Sequence, residues 1–159
     1  MIVYLLTGCE NSDTTINKHI SNEIGITMST NSKVEYNDSH GGFHGDGLFY
    51  AKVKFSNDEE EDFIKNILET KEWNETPIDE NVSFMLYGGE KDGISYGYNL
   101  AEQAGIPKVT SGYWLFIDRY DGVIDSSDTS ELFSRSSFNF TVAIYDEDTN
   151  VLYFIEYDT

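Results

Sequence analysis

From Phe138 to Tyr157 the chain alternates with a period of two. Phe138, Phe140, Val142 and Ile144 share one side, Asp146-Glu147-Asp148-Thr149-Asn150 supplies a polar turn, and Val151 to Tyr157 runs back as a second apolar strand. Successive side chains of a strand point to opposite faces, so this stretch predicts an antiparallel hairpin that closes the chain. A hairpin with this much apolar surface must be one part of a larger sheet. Tyr113-Trp114-Leu115-Phe116-Ile117, a nearly continuous apolar run, suits a central strand covered on both faces. Lys33-Val34-Glu35-Tyr36 also alternates, and after a glycine-rich turn Phe49, Ala51, Val53 and Phe55 share one face of the run Leu48 to Phe55; these two segments predict a strand pair. Val82 to Tyr87, ended by Gly88-Gly89, reads as a further strand.

Helical spacing enters between these runs. Ile16, Ile20 and Ile24 sit four apart before Gly25, which predicts a helix over 16–24. Ser56-Asn57-Asp58-Glu59 has capping-box form, and the acid run Asp58 to Asp62 lies where the helix dipole favours anions. Phe63, Ile64, Ile67 and Leu68 continue it as one apolar stripe, so a helix is predicted over 57–71, and a short one near Tyr96 to Ala104 stops at Gly105 and Pro107. The expected fold is α+β: a single, mainly antiparallel sheet of five or six strands, with two or three helices packed largely on one face and a C-terminal β-hairpin.

A chain of 159 residues has room for one core, and 39% hydrophobic with 14% aromatic content is enough apolar area to fold it despite the acidity. Against 29 Asp and Glu stand only 10 Lys and Arg, a formal charge of −19. That field repels phosphate backbones and anionic headgroups, which argues against nucleic acid and leaves a basic protein or a cationic ligand as the natural partner.

The single Cys excludes an internal disulfide. It ends Met1-Ile2-Val3-Tyr4-Leu5-Leu6-Thr7-Gly8-Cys9, after which Glu10 to Thr15 carry no apolar side chain. Leu6-Thr7-Gly8-Cys9 resembles the bacterial lipobox, in which a Leu and two small residues precede a Cys whose thiol takes a diacylglyceryl group before the peptidase cuts. The resemblance implies a lipidated Cys9 at the mature N-terminus, attached to the membrane through the lipid alone. Two or more acyl chains make such anchoring stable. A full signal has a basic start and about 7 to 15 apolar residues, whereas no Lys or Arg precedes Cys9 and only Met1 to Leu6 are apolar. Residues 1–9 are therefore expected to be the remnant of a longer signal, 10–15 a tether, and 16–159 a single domain. The alternative is a buried N-terminal strand over Ile2 to Leu6 with Cys9 as a small hydrophobe.

Asp38-Ser39-His40-Gly41-Gly42-Phe43-His44-Gly45-Asp46-Gly47 holds two of the three His and four of the 13 Gly. Asp38, His40, His44 and Asp46 would make a mixed nitrogen and oxygen site for Zn²⁺ or another divalent metal if they converged, and an open position there would activate water. The spacing matches no metalloenzyme signature, and the competing reading is a structural turn whose His and Asp side chains satisfy loop backbone groups. Oxygen ligands also cluster between Asp118 and Glu131, as a hard cation such as Ca²⁺ needs, without the EF-hand order; Asp128 to Glu131 equally fits a capping box, and Asp118 is expected to pair with its neighbour Arg119. Tyr96, Tyr98, Tyr113, Trp114 and Tyr120 read as a stacking platform or, as is commoner in strands, as core. No Gly-x-Ser-x-Gly elbow or phosphate-binding loop occurs, and nothing selects a catalytic pair among so many carboxylates.

Beyond the lipobox, His40 to Gly47 and Ser137 to Asp146, with the Tyr-rich end, are similar to small uncharacterised proteins and lipoproteins of Gram-positive bacteria. That resemblance implies an extracytoplasmic protein on the outer face of the plasma membrane and carries no catalytic residue. Three functions follow from the sequence: a non-enzymatic binding or interaction module with no cofactor, a metal-dependent hydrolase at the His40/His44 loop, and an immunity or inhibitor protein against a basic partner.

Overall fold

The computed structural model of the protein describes residues 12–30, 32–41 and 45–159. Cys9 and His44 lie outside the described residues. Within them the order is α1 (Ser12–Ile24), β1 (Lys33–Asp38), β2 (Gly47–Lys54), α2 (Asn57–Thr70), β3 (Asn74–Glu75), α3 (Glu80–Tyr87), β4 (Gly89–Lys91), β5 (Ile94–Tyr96), α4 (Leu100–Ala104), β6 (Gly112–Asp118), β7 (Asn139–Asp146) and β8 (Val151–Asp158). The fold is α+β. Six strands form one antiparallel sheet in the order β1-β2-β8-β7-β6-β3, and β4 and β5 make a separate small hairpin.

The hairpin read from the end of the sequence is the centre of this sheet. β7 and β8 pair from Asp146↔Val151 to Asn139↔Asp158. Asp146 closes the connection, taking the Asp148 N–H on Oδ1 (3.0 Å) and the Thr149 hydroxyl on Oδ2 (2.7 Å). β6 reaches β7 closely enough that a Cβ at Gly112 would stand 1.9 Å from the Tyr145 carbonyl oxygen, so only glycine fits there.

Both faces of the three central strands are apolar, and both are covered. Ile20 and Ile24 of α1 with Phe63 and Ile67 of α2 pack on Ala143, Tyr145 and Phe154. On the opposite face Val82, Met85 and Leu86 of α3 and Leu100, Ala101 and Ala104 of α4 pack on Phe140, Val142, Ile144 and Ile155. The helices are thus shared between the faces, where one face was expected to carry most of them. Ala143 and Tyr145, which alternate with Val142 and Ile144, make the second face of β7 apolar and demand cover there too.

Several local expectations change. Val82 to Tyr87 is not a strand but most of α3. A short apolar run carries little periodic information, and what decides it is the cap: the Asp79 carboxylate accepts from the Asn81 and Val82 amides (2.9 and 3.3 Å). Val82, Met85 and Leu86 then bury at helical spacing. α1 begins at Ser12, so Ser12 to Thr15 of the expected tether are helical. α2 starts where the capping box placed it, with the Glu59 carboxylate accepting from the Ser56 amide (2.9 Å) and hydroxyl (2.8 Å). Its stripe is narrower than read, because Leu68 lies exposed while Phe63 and Ile67 are buried. α4 is confined to Leu100–Ala104, and Tyr96 belongs to β5.

Candidate functional site

At one end of the sheet β1, β6 and β8 finish while β2 and β7 begin, and the polar residues there divide between the two faces. On the α1/α2 face, β1 runs on to His40. The Ser39 amide donates to the Leu48 carbonyl (3.1 Å), and the Leu48 amide donates to Ser39 Oγ (2.9 Å). The chain returns so closely that a Cβ at Gly47 would meet His40 Cα at 2.5 Å. His40 is thereby set between two carboxylates, with Nδ1 2.7 Å from Asp38 Oδ1 and Nε2 3.1 Å from Asp158 Oδ2. The His40 amide also donates to Asp38 Oδ1 (2.9 Å), and this bond, with the ring, holds the Asp38 carboxyl below its ordinary pKa.

Asp158 gathers more than His40. Arg119 Nη2 reaches both its oxygens at 3.1 Å and donates as well to the Phe140 carbonyl (3.1 Å). The Asn139 amide, oriented so that its nitrogen meets acceptors, donates to Asp158 Oδ1 at 3.0 Å. Two residues earlier on the same face, Glu156 Oε2 lies 2.8 Å from His19 Nε2 of α1. That hydrogen bond raises the His19 pKa above 6.5, with burial opposing it; Glu156 and Glu23 add to the rise, and the Arg119 charge works against it. The end of β8 therefore ties three segments to the sheet: α1, the loop after β1 and the loop after β6.

Of the four residues proposed as metal ligands, Asp38 and His40 come together. Asp46 is exposed and bonds to neither, and His44 is outside the described residues. Among the described residues no group of three or more His, Cys, Asp or Glu is arranged to hold a metal. Both ring nitrogens of His40 already face carboxylates of its own chain, the arrangement expected of a turn that satisfies its own polar groups.

On the α3/α4 face the segment between β6 and β7 folds over a cleft of 540 Å³ lined by Tyr120, Asp121, Val123, Ile124, Asp125 and Asp128, with Asp118, Glu131 and Arg135 among the other walls. Neighbouring strand residues point to opposite faces, so Asp118 does not pair with Arg119. It is buried and meets Arg135 Nη2 at 2.5 Å, and the Arg135 guanidinium stacks on the Tyr120 ring with 4.7 Å to the centroid. The segment is pinned to the sheet by the Asp118 amide donating to the Ser126 carbonyl (2.7 Å). Asp125 accepts the amide and hydroxyl of Ser127 (2.9 and 2.7 Å), which lower its pKa, and Asp128 accepts the Ser130 amide (2.8 Å). These are among the oxygen ligands read as a calcium candidate, and Asp125 and Asp128 each accept from the loop's own donors.

The aromatic residues do not form an open platform. Tyr96 stacks on Phe84 (4.4 Å, 8°), Tyr98 packs edge-on against Phe138, and Trp114 is buried with Nε1 donating to the Glu75 carbonyl (3.1 Å). Arg119, Glu156, Asp158 and His19 are the site residues that sequence reasoning did not assemble. The available signal was a carboxylate at two alternate positions of a strand face that carries Leu152 and Phe154. No known protein family, no curated protein and no solved structure matches the chain.

Proposed function

We propose that the protein is a non-enzymatic binding domain, anchored by a lipidated Cys9 on the outer face of the plasma membrane, whose acidic surface meets a basic or cationic partner. The observation that carries the binding reading is the contrast in how charge is used at the end of the sheet. Among the described residues His40 is held by Asp38 and Asp158, and His19 by Glu156. Asp121, Asp125, Asp128 and Glu131 line an open cleft and have no ion-pair partner among the described residues. Uncompensated charge at an accessible surface steers association with a partner of opposite sign. An immunity or inhibitor protein acting on a basic protein is one form of this reading.

The anchor rests on Leu6-Thr7-Gly8-Cys9 and on the polar stretch after it. No helix among the described residues is long and apolar enough to cross a membrane.

Two measurements test the proposal. Mass spectrometry of the native protein extracted with detergent should find acyl chains on an N-terminal Cys9, and an unmodified Met1 in the soluble fraction would overturn the anchor. Metal analysis of protein purified without chelator should find no stoichiometric metal. A stoichiometric divalent ion that disappears in His44→Ala would replace the binding reading with the metal-dependent hydrolase.

A further inference from the structure

Resting on the binding reading above, the geometry points to the cleft between β6 and β7 as a groove for a basic, amphipathic peptide segment of a partner protein, one that places an aliphatic or aromatic side chain between Lys or Arg residues. The walls of the groove are mainly apolar and its rim is acidic. Ile124 is fully exposed at its mouth, one of four large hydrophobic residues left open among the described residues, with Val123 and the Tyr120 ring beside it. A volume of 540 Å³ is on the scale of a few side chains of a peptide rather than of a whole domain surface.

The groove is also held in shape. The Ser126 carbonyl is tied to the end of β6, the Val123 amide donates to the Tyr120 carbonyl (3.3 Å), and the Arg135 guanidinium closes the inner wall between Asp118 and the Tyr120 ring. A site already shaped loses less on binding than one that must be ordered. Its charges select the occupant: the one cation of the lining is taken by Asp118, which leaves Asp121, Asp125, Asp128 and Glu131 for positive charges that the ligand brings. A simple polycation would satisfy the carboxylates but leave Val123 and Ile124 in water. An apolar peptide would bury those side chains without answering the rim. A segment with both kinds of residue meets both.

The test uses the full chain and three labelled synthetic dodecapeptides, built on Lys with Leu, Lys with Ser, and Glu with Leu, followed by fluorescence anisotropy in about 0.15 M salt. The Lys–Leu peptide should bind at least about tenfold tighter than either other peptide, and Ile124→Ser and the pair Asp125→Asn with Asp128→Asn should each weaken it by about tenfold. Asp58→Asn with Glu61→Gln on α2, which removes the same formal charge elsewhere, should change it less than about twofold. Circular dichroism of each variant checks that the fold is intact. Lys–Leu binding that ignores the cleft variants overturns the groove while the wider binding reading survives, as does Lys–Ser binding or spermine competition of equal strength. Binding of none of the cationic probes overturns both.

Discussion

Two charged regions share one end of the same sheet and are built in opposite ways. On the α1/α2 face, three basic side chains, His19, His40 and Arg119, are matched to Glu156, Asp38 and Asp158. On the α3/α4 face, the cleft lining has one basic side chain, Arg135, and it is matched to Asp118. A charge of −19 therefore says little about any one place on the surface. Where cations are drawn inward against carboxylates, charge holds segments of chain together. Where carboxylates stand beside exposed Ile124 without a counterpart, charge is left for something outside the molecule.

The contrast is sharpest at Asp118, the one acidic residue of the cleft lining that is paired with a cation. Its side chain is 3% exposed and that of Arg135 11%. Asp118→Ala strands a guanidinium in the protein interior, and removing one partner of a buried pair costs about 3–5 kcal/mol. Urea unfolding followed by fluorescence should show that loss. A cost under about 1 kcal/mol would place the pair with ordinary surface ion pairs and erase the distinction between Asp118 and the rest of the cleft.

Asp158→Ala tests the other region. It removes the acceptor shared by Arg119, His40 and Asn139 at the end of β8, but the groups it leaves behind are partly open to water, so the expected loss is about 1–2 kcal/mol. Hydrogen exchange should quicken in 38–41 and at 119–120, the segments tied to that carboxylate, before it quickens in the centre of β7. Uniform loss of protection would mean that Asp158 supports the core and not those connections.

How much of this was legible depended on distance along the chain. The alternation of Phe138 to Ile144 and of Phe49 to Phe55, and the cap at Ser56, are local signals, and each became the element it foretold. α3 was misread because six consecutive residues from Val82 hold a period too weak to separate helix from strand, and the Asp79 cap had to settle it. β3 is only Asn74–Glu75 and exists because it pairs with β6, which no local pattern announces. In the site, Asp38 and His40 are two residues apart and were read together; His40 and Asp158 are 118 apart and meet because β8 lies beside β2. Asp118 and Arg119 were expected to pair as neighbours, and the pleat of β6 sends them to opposite faces.

His19 gives the smaller effect in the paired region, and its sign follows from the raised pKa. The protonated ring is the form that Glu156 favours, so its contribution to stability is fully present below the unfolded value of 6.5 and is lost as pH rises through the higher folded value. With the His19 side chain 40% exposed, the contribution is under about 1 kcal/mol after screening. Stability measured by urea unfolding should fall as pH is raised from 6.5 into the weakly alkaline range, and Glu156→Gln should flatten that fall. A slope unchanged in Glu156→Gln would mean that the His19–Glu156 pair is not its source.

The least effect on folding should come from Ile124→Ser, and that is its value to the comparison. A side chain fully exposed in the native state loses no packing when it is shortened and made polar, so the urea midpoint should stay where it is. The same change removes the apolar mouth of the cleft, so Lys–Leu peptide binding should weaken while stability holds. Asp118→Ala should behave in the reverse order, with folding affected first and binding only through it. If Ile124→Ser instead lowered the midpoint, Ile124 would be packed in solution against part of its own chain, and the cleft would join the paired region as structure rather than stand apart from it as a surface for a partner.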